Sequence, residues 1–274
     1  MIVFHTHCQL GNQMFIYACA HSLAKEKNEK YCLSDLSGLK FFRLNKNEKL
    51  KNHIKYTWFR TSSKLTKYNF HHFQDNRLDY SKKMLQNISK NNWYYGYFQG
   101  ENYFYKNKLE IKKRFQIKSK YKDNFDKLKN KIIGQSKYAI VHIRLKDYKT
   151  FGPDFLNGPD LTLPMEYYHN LIKRLSSNIK VIFLSDDIKK VKNDFSYVNN
   201  AYFSENSVVD DLQFIINANI CILSCSTFSW WGAWLNKQEN LEVYVPKCFL
   251  GFKVKKEYPV NIIPKNWKQI EIHE

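Results

Sequence analysis

From Tyr138 onward the sequence alternates short apolar runs with amphipathic stretches, and few folds accommodate that alternation. Tyr138–Arg144, Lys180–Leu184, Ile220–Leu223 and Glu242–Val245 read as strands. A helix opens at Pro164, with Tyr168, Leu171, Ile172 and Leu175 recurring at i, i+3, i+4 and i+7 behind the first-turn proline. Further helices are predicted over Val208–Ala218 and Ser226–Leu235. Apolar strands separated by helices predict a parallel sheet covered on both faces. Ligands of such sheets bind beyond the carboxyl ends of the strands, so the residues that follow each strand carry the functional signal.

The N-terminal part opens β-loop-helix-β: a strand at Met1–His5, a helix from about Asn12 to Glu26, and a strand at Tyr31–Leu33. In the helix Phe15, Ala18, Cys19, Ser22 and Leu23 share a face. The stretch Lys40–Tyr138, rich in lysine, aromatics and asparagine without clear alternation, is assigned mainly to helices. The chain of 274 residues can bury a large core and divides into halves at 1–134 and 135–274. It opens on a strand, not on the basic start and apolar run of a signal peptide, and no apolar run approaches the roughly 18–20 residues of a spanning helix. The six cysteines lack metal-finger spacing and read as reduced, mostly buried thiols of a cytoplasmic protein.

Three strand ends carry polar clusters. Cys8-Gln9-Leu10-Gly11-Asn12-Gln13 follows the first strand, and a glycine in a strand-to-helix turn lets backbone N–H groups approach an anion as readily as it makes a plain turn. In His142-Ile143-Arg144-Leu145-Lys146-Asp147-Tyr148, a strand running on through the cluster turns His142, Arg144 and Lys146 to one side. Two cations and an imidazole there suit a diphosphate, and arginine adds a bidentate fork; a solvated edge strand has the same pattern. Ser224 to Trp234 puts hydroxyls at a helix start, as an N-cap or a phosphate contact, and its three tryptophans exceed what an ordinary core helix carries. Asp186 and Asp187 end another strand, as ribose or guanine ligands or as a helix cap.

The formal net charge of +19 fits nucleic acid, an anionic membrane surface or phosphate-bearing small molecules, and equally a lysine-rich composition with no such partner. The aromatics gather in apolar helices instead of alternating with lysines along one stripe, which argues against nucleic acid. No D-x-D, H-E-x-x-H or P-loop is present, so divalent-metal catalysis has no obvious carrier. A departing diphosphate would then be stabilised by protein cations and helix starts.

Together these segments resemble glycosyltransferase family eleven, the bacterial and animal α-1,2-fucosyltransferases. Leu10-Gly11-Asn12-Gln13-Met14-Phe15 with Tyr17-Ala18 resembles the family's G-G-x-G-N-Q-M-F-x-Y-A opening. Gly96-Tyr97-Phe98-Gln99 resembles its G-Y-F-Q segment, and His142-x-Arg144-x-x-Asp147-Tyr148 its H-x-R-R-x-D-Y motif. Phe183 to Asp187 and Ser226 to Leu235 match the two C-terminal motifs.

The resemblance implies a GT-B-like α/β fold, two Rossmann-type halves with parallel sheets facing a central cleft. It implies inverting transfer of L-fucose from GDP-fucose, without metal or other cofactor, to the 2-hydroxyl of a galactose-containing glycan, oligosaccharide or lipid-linked. Carried over by position, Arg144 grips the β-phosphate, His142 lies near the nucleotide, and Asp186 or Asp187 binds the guanosine. Ser226, Thr227 and Ser229 meet the diphosphate, while Gly11 and Asn12 approach the donor from the other half. Asp147 is the first candidate base, followed by Asp154, Asp160 and Glu101. Cys8 and Gln9 replace the family's leading glycines, and Leu145 its second motif arginine, so a different nucleotide sugar or a non-catalytic glycan-binding relative are the alternatives. Lys146, on the Arg144 face of a continuing strand, is expected to restore the missing charge. A cytoplasmic enzyme of this charge would also be suited to rest on anionic lipid.

Overall fold

The computed structural model describes residues 1–44, 47–62, 69–72, 88–89 and 91–273. Two compact units divide the chain. The first comprises Met1–Lys118 with Pro259–Ile262, the second Ser119–Tyr258 with Ile263–Glu274.

In the first unit β1 (Ile2–Phe4), α1 (Leu10–Glu26) and β2 (Tyr31–Leu33) lie where the sequence put them. α1 is buried from Met14 to Ala24, on every side of the helix and not along one stripe. It is followed by α2 (Glu48–Ser62), β3 (Asn69–His72), β4 (Asn92–Tyr95) and α3 (Lys108–Arg114). The four strands form a wholly parallel sheet in the order β2-β1-β4-β3. The expectation of a mainly helical Lys40–Tyr138 is therefore corrected: β4 sits beside β1 at the centre of this sheet. β4 has no clean apolar run because its residues alternate between faces, with Asn92 and Tyr94 buried and Trp93 and Tyr95 half-buried. The parts of that assignment at 45–46, 63–68, 73–87 and 90 lie outside the described residues.

The second unit holds α4 (Ser119–Ile132), β5 (Tyr138–Ile143), α5 (Met165–Ile172), β6 (Lys180–Ser185), α6 (Ile188–Asp194), β7 (Ala201–Phe203), α7 (Val208–Ile216), β8 (Ile220–Ile222), α8 (Thr227–Leu235), β9 (Glu242–Pro246) and β10 (Lys268–Ile270). Its six strands are all parallel, in the order β10-β9-β8-β5-β6-β7. Two parallel sheets in helical covering are the α/β fold class expected. α4 belongs to this unit, ahead of the expected division after residue 134, because Phe125 packs on Phe214 at 4.8 Å and Gln213 Nε2 donates to the Tyr121 carbonyl at 3.2 Å. β7, α6 and β10 are additions that the periodicity did not reveal.

The tryptophans of α8 are core residues, which corrects the functional weight placed on them. Trp230 and Trp231 are fully buried, and Trp230 stacks on Trp234 at 6.0 Å and tilts against Trp267 at 5.7 Å. Among the described residues no helix is long and apolar enough to cross a membrane. All six cysteines are free, and Cys19, Cys32, Cys221 and Cys225 are buried.

α7 and α8 touch through Gly232, where an added Cβ would lie 2.6 Å from Cβ and Cγ2 of Ile215. Gly232→Ala is expected to cost about 1–3 kcal/mol, read as a lower urea midpoint with an unchanged m-value.

Candidate active site

The strand order of the second unit reverses at its centre. From β5 the chain moves outward through β6 to β7, then returns to the other side of β5 and moves outward through β8, β9 and β10. The switch point therefore lies between β5 and β8, and the crevice beyond their carboxyl ends is where such sheets take ligands. The loops there are the His142–Tyr148 and Ser224–Thr227 motifs.

These two loops are tied together by three hydrogen bonds. Ser224 N–H donates to the His142 carbonyl at 3.1 Å, carrying the ladder one step past β8. His142 Nδ1 and Ser224 Oγ lie 2.8 Å apart, and the Tyr148 hydroxyl donates to the Cys225 carbonyl at 2.7 Å. Both bonds cross the switch point, and they bracket Arg144 on one strand end and the start of α8 on the other. His142 is buried against Phe228, with burial and then the neighbouring Arg144 lowering its pKa to about 3. The imidazole is thus a neutral strut.

β5 ends at Ile143, opposite Ser185. Beyond it the Asp186 carboxylate accepts from the backbone N–H groups of Leu145 and Lys146, at 2.9 and 3.0 Å, and lies 3.3 Å from Arg144 Nε. Those two N–H groups would otherwise have no strand partner, since β6 has ended. The clasp turns the chain into a 3₁₀ turn at Asp147–Lys149. This corrects the expectation that the strand runs on. Lys146 is exposed in a helical conformation and does not share Arg144's face by alternation, while Leu145 is buried. Asp186 thereby organises the loop. Asp187 caps α6, accepting from Lys190 N–H at 3.4 Å.

Arg144 carries its fork as expected, and Asp147 occupies it. Nε donates to Oδ1 at 2.7 Å and Nη2 to Oδ2 at 2.6 Å. The bonds from Arg144 hold the Asp147 carboxyl below the ordinary carboxylate range, while Asp147 and Asp186 raise the guanidinium pKa against its burial. A carboxylate so engaged is an orienting partner for Arg144. Asp160 is engaged locally, accepting from Thr162 N–H and Oγ1 at 2.8 and 2.7 Å. Asp154 opens a 3₁₀ turn in this unit, and Glu101 opens another in the first unit.

At the start of α8 Ser226 occupies the N-cap in an extended conformation with no side-chain capping bond, and Thr227 opens the helix. First-turn N–H groups of such a helix suit an anion. Ser229 is fully buried and donates to the Ser226 carbonyl at 3.2 Å, so it braces the cap from inside, a correction to its expected contact with the diphosphate.

In the first unit Gly11 lies inside the first turn of α1, not in the preceding loop, and is buried. The left-handed backbone falls at Cys8, with φ 61°, where the family has glycine. Asn12 Oδ1 accepts from Gln99 Nε2 at 2.8 Å, joining the first and middle motifs. Beyond the carboxyl ends of β1 and β4 stands a group the sequence reading missed. His7 stacks on Tyr95 at 4.2 Å and 9°, His5 on Tyr95 at 5.3 Å and 21°, and Tyr97 meets His7 edge-on at 4.7 Å. Burial lowers the His5 pKa, so its ring is neutral near pH 7. The signal was the odd-numbered run Trp93, Tyr95, Tyr97, legible only once the segment is recognised as a strand.

The sequence profile of Glycosyl transferase family 11 matches residues 1–271. The chain is similar to an α-1,2-colitosyltransferase of Escherichia coli, 28% identical over 285 residues and covering 96% of each protein. It is also similar to the O-antigen biosynthesis glycosyltransferase WbnK of Escherichia coli, 35% identical over 119 residues, 40% of this chain and 39% of that one. Its fold matches the α-1,6-fucosyltransferase NodZ from Bradyrhizobium, seen in a crystal soaked with GDP-fucose. The TM-score is 0.55 at 12% identity, over 86% of this chain and 92% of that one.

A histidine held near pKa 3 inside the fold has a signed consequence. The unfolded chain binds its proton below about pH 6.5 and the folded chain does not, so stability falls as pH drops from about 6.5 towards 3. His142→Gln is expected to be less stable at neutral pH and to flatten this acid limb by up to about 1.4 kcal/mol per pH unit. Urea denaturation at a series of pH values measures the slope, and an unchanged slope would place the titration elsewhere.

Proposed function

Because the chain belongs to Glycosyl transferase family 11, we propose that it moves L-fucose from GDP-fucose to the 2-hydroxyl of a galactose-containing glycan, with inversion and without a metal. The observation that carries this reading is the pair of ties, His142 to Ser224 and Tyr148 to Cys225, that fix Arg144 and the start of α8 at one switch point. A planar cation and a helix start converging there suit a departing diphosphate.

In the proposed reaction the acceptor oxygen bonds to the anomeric carbon as the bond from that carbon to the β-phosphate oxygen breaks. The electron pair leaves with GDP and the hydroxyl proton passes to a base. Arg144 neutralises the charge that grows on the leaving oxygen. Asp147 presents the guanidinium in the right plane, and Asp186 fixes the loop beneath it. Ser226 and Thr227 meet the diphosphate from the helix start.

The colitosyltransferase resemblance, spanning nearly the full length of both proteins, supports a second reading in which the transferred sugar comes from a different nucleotide sugar. Incubating the purified protein with a panel of GDP- and UDP-sugars and galactosides separates the two. GDP release with GDP-fucose and an α-1,2 linkage in the product are expected. Turnover with UDP-sugars alone, or with no donor, would overturn the proposal.

Arg144→Ala is expected to lower kcat by about 10²–10³. Arg144→Lys, which keeps the charge and loses the fork, should recover only part of it. Steady-state kinetics with saturating donor makes the comparison, and near-normal turnover of Arg144→Ala would contradict the assignment.

A further inference from the structure

The helix α2 has two apolar faces, and one of them points away from the unit it belongs to. Its inner face is fixed by Asn52, which accepts from Leu33 N–H at 2.8 Å and donates to the Leu33 carbonyl at 2.9 Å, and by the buried ring of Phe59. At about 100° per residue, Leu50, Ile54 and Trp58 fall within roughly 80° of one another on the opposite side. They are 60%, 58% and 59% exposed. A helix needed only to cover the sheet would be polar there.

The shoulders of this stripe are cationic. Lys51 borders it directly at about 20° from Trp58, while Arg60 and Lys49 lie further round, about 80° and 100° past Leu50 on the other side. Burial, then Lys118 and Lys40, lower the pKa of Lys49 against the opposing Asp35 carboxylate, so cations outnumber the one acid beside it. The one acidic residue of α2, Glu48, is turned inward and paired with Arg114 at 2.8 Å. The outward face of α2 therefore combines leucine, isoleucine and an indole with two threonines and with charged side chains that are all cations, on a chain of net charge +19.

We propose that this face of α2 docks the protein on an anionic lipid bilayer, the helix lying in the interface plane. Charge complementarity selects this occupant. Lysine stems run along apolar surface while their ammonium groups reach headgroup phosphates, and an indole is favoured at the headgroup level. The docking is independent of the transfer reaction and is read out without it.

The test uses the full chain with vesicles of phosphatidylcholine alone or mixed with phosphatidylglycerol, followed by co-sedimentation. Binding is expected to the anionic vesicles only, weakening as salt rises, with a blue shift of tryptophan emission that Trp58→Phe removes. L50S/I54S/W58S should weaken it roughly tenfold or more, and K49E/K51E by about fivefold or more per lysine. K122E/K127E, on α4, makes the same change in net charge and should alter binding by less than about twofold. Equal binding to both vesicle types, equal loss from the two charge variants, or unimpaired binding by the serine variant would each overturn the proposal. So would a dimer in light scattering that the serine variant dissolves, because the face would then belong to a second copy.

Discussion

The carboxylate of Asp186 closes the turn after β5, and the arrangement at the switch point depends on it. Where β6 stops, two backbone N–H groups lose their ladder partners, and Asp186 accepts from both while lying 3.3 Å from Arg144 Nε. Hydrogen bonds to an ionised acceptor are roughly twice as strong as neutral ones. One side chain thus ends a strand, fixes the following loop and orients the cation at its head. Were that carboxylate lost, the N–H groups at 145 and 146 would seek other partners, and the guanidinium would lose one of the two charges that define its plane.

The first unit reaches rigidity by another route. Arg114, buried, donates to Glu48 at 2.8 Å, to the Tyr17 hydroxyl at 2.9 Å and to Glu110 at 3.0 Å, which joins α1, α2 and α3. His21 and Lys25 complete the group on Glu110, at 2.9 and 2.6 Å. Burying this many charges is not stabilising in itself, since desolvation offsets the Coulomb attraction. Its effect is directional: α2 can present only one face to the sheet, because Glu48 must meet Arg114 and Asn52 must meet Leu33. The same constraint sends Leu50, Ile54 and Trp58 outward.

The second unit was legible because its strands are buried on both faces and read as apolar runs, so β5, β6, β8 and β9 appear within a residue or two of their observed bounds. The motif-bearing loops could be found from the same rule that places ligands at strand ends. What the sequence could not carry was the termination of β5. Alternation continues through Lys146, and nothing local reveals that a carboxylate just past the end of β6, forty-one residues away from Leu145, takes the backbone N–H groups. The strand β4 was hidden for a related reason. One of its faces is half-buried and aromatic, so Trp93 and Tyr95 looked like helix or loop residues until β1 lay beside them. Ser229 was misread because a hydroxyl one turn into a helix can face either a ligand or its own backbone, and only packing decides.

The departure at Leu145 acquires a different meaning once the clasp is seen. In the family motif this position is arginine, and its replacement reads in the sequence as a missing ligand for the diphosphate. Here the side chain at 145 is buried, because Asp186 draws the backbone N–H of 145 towards β6 and the loop packs its side chain inward. An apolar residue suits that site, and an arginine there would need either a buried partner or a different loop. Leucine at 145 and the loop conformation are therefore mutually consistent. The cation fixed at the strand end is Arg144, held between two carboxylates.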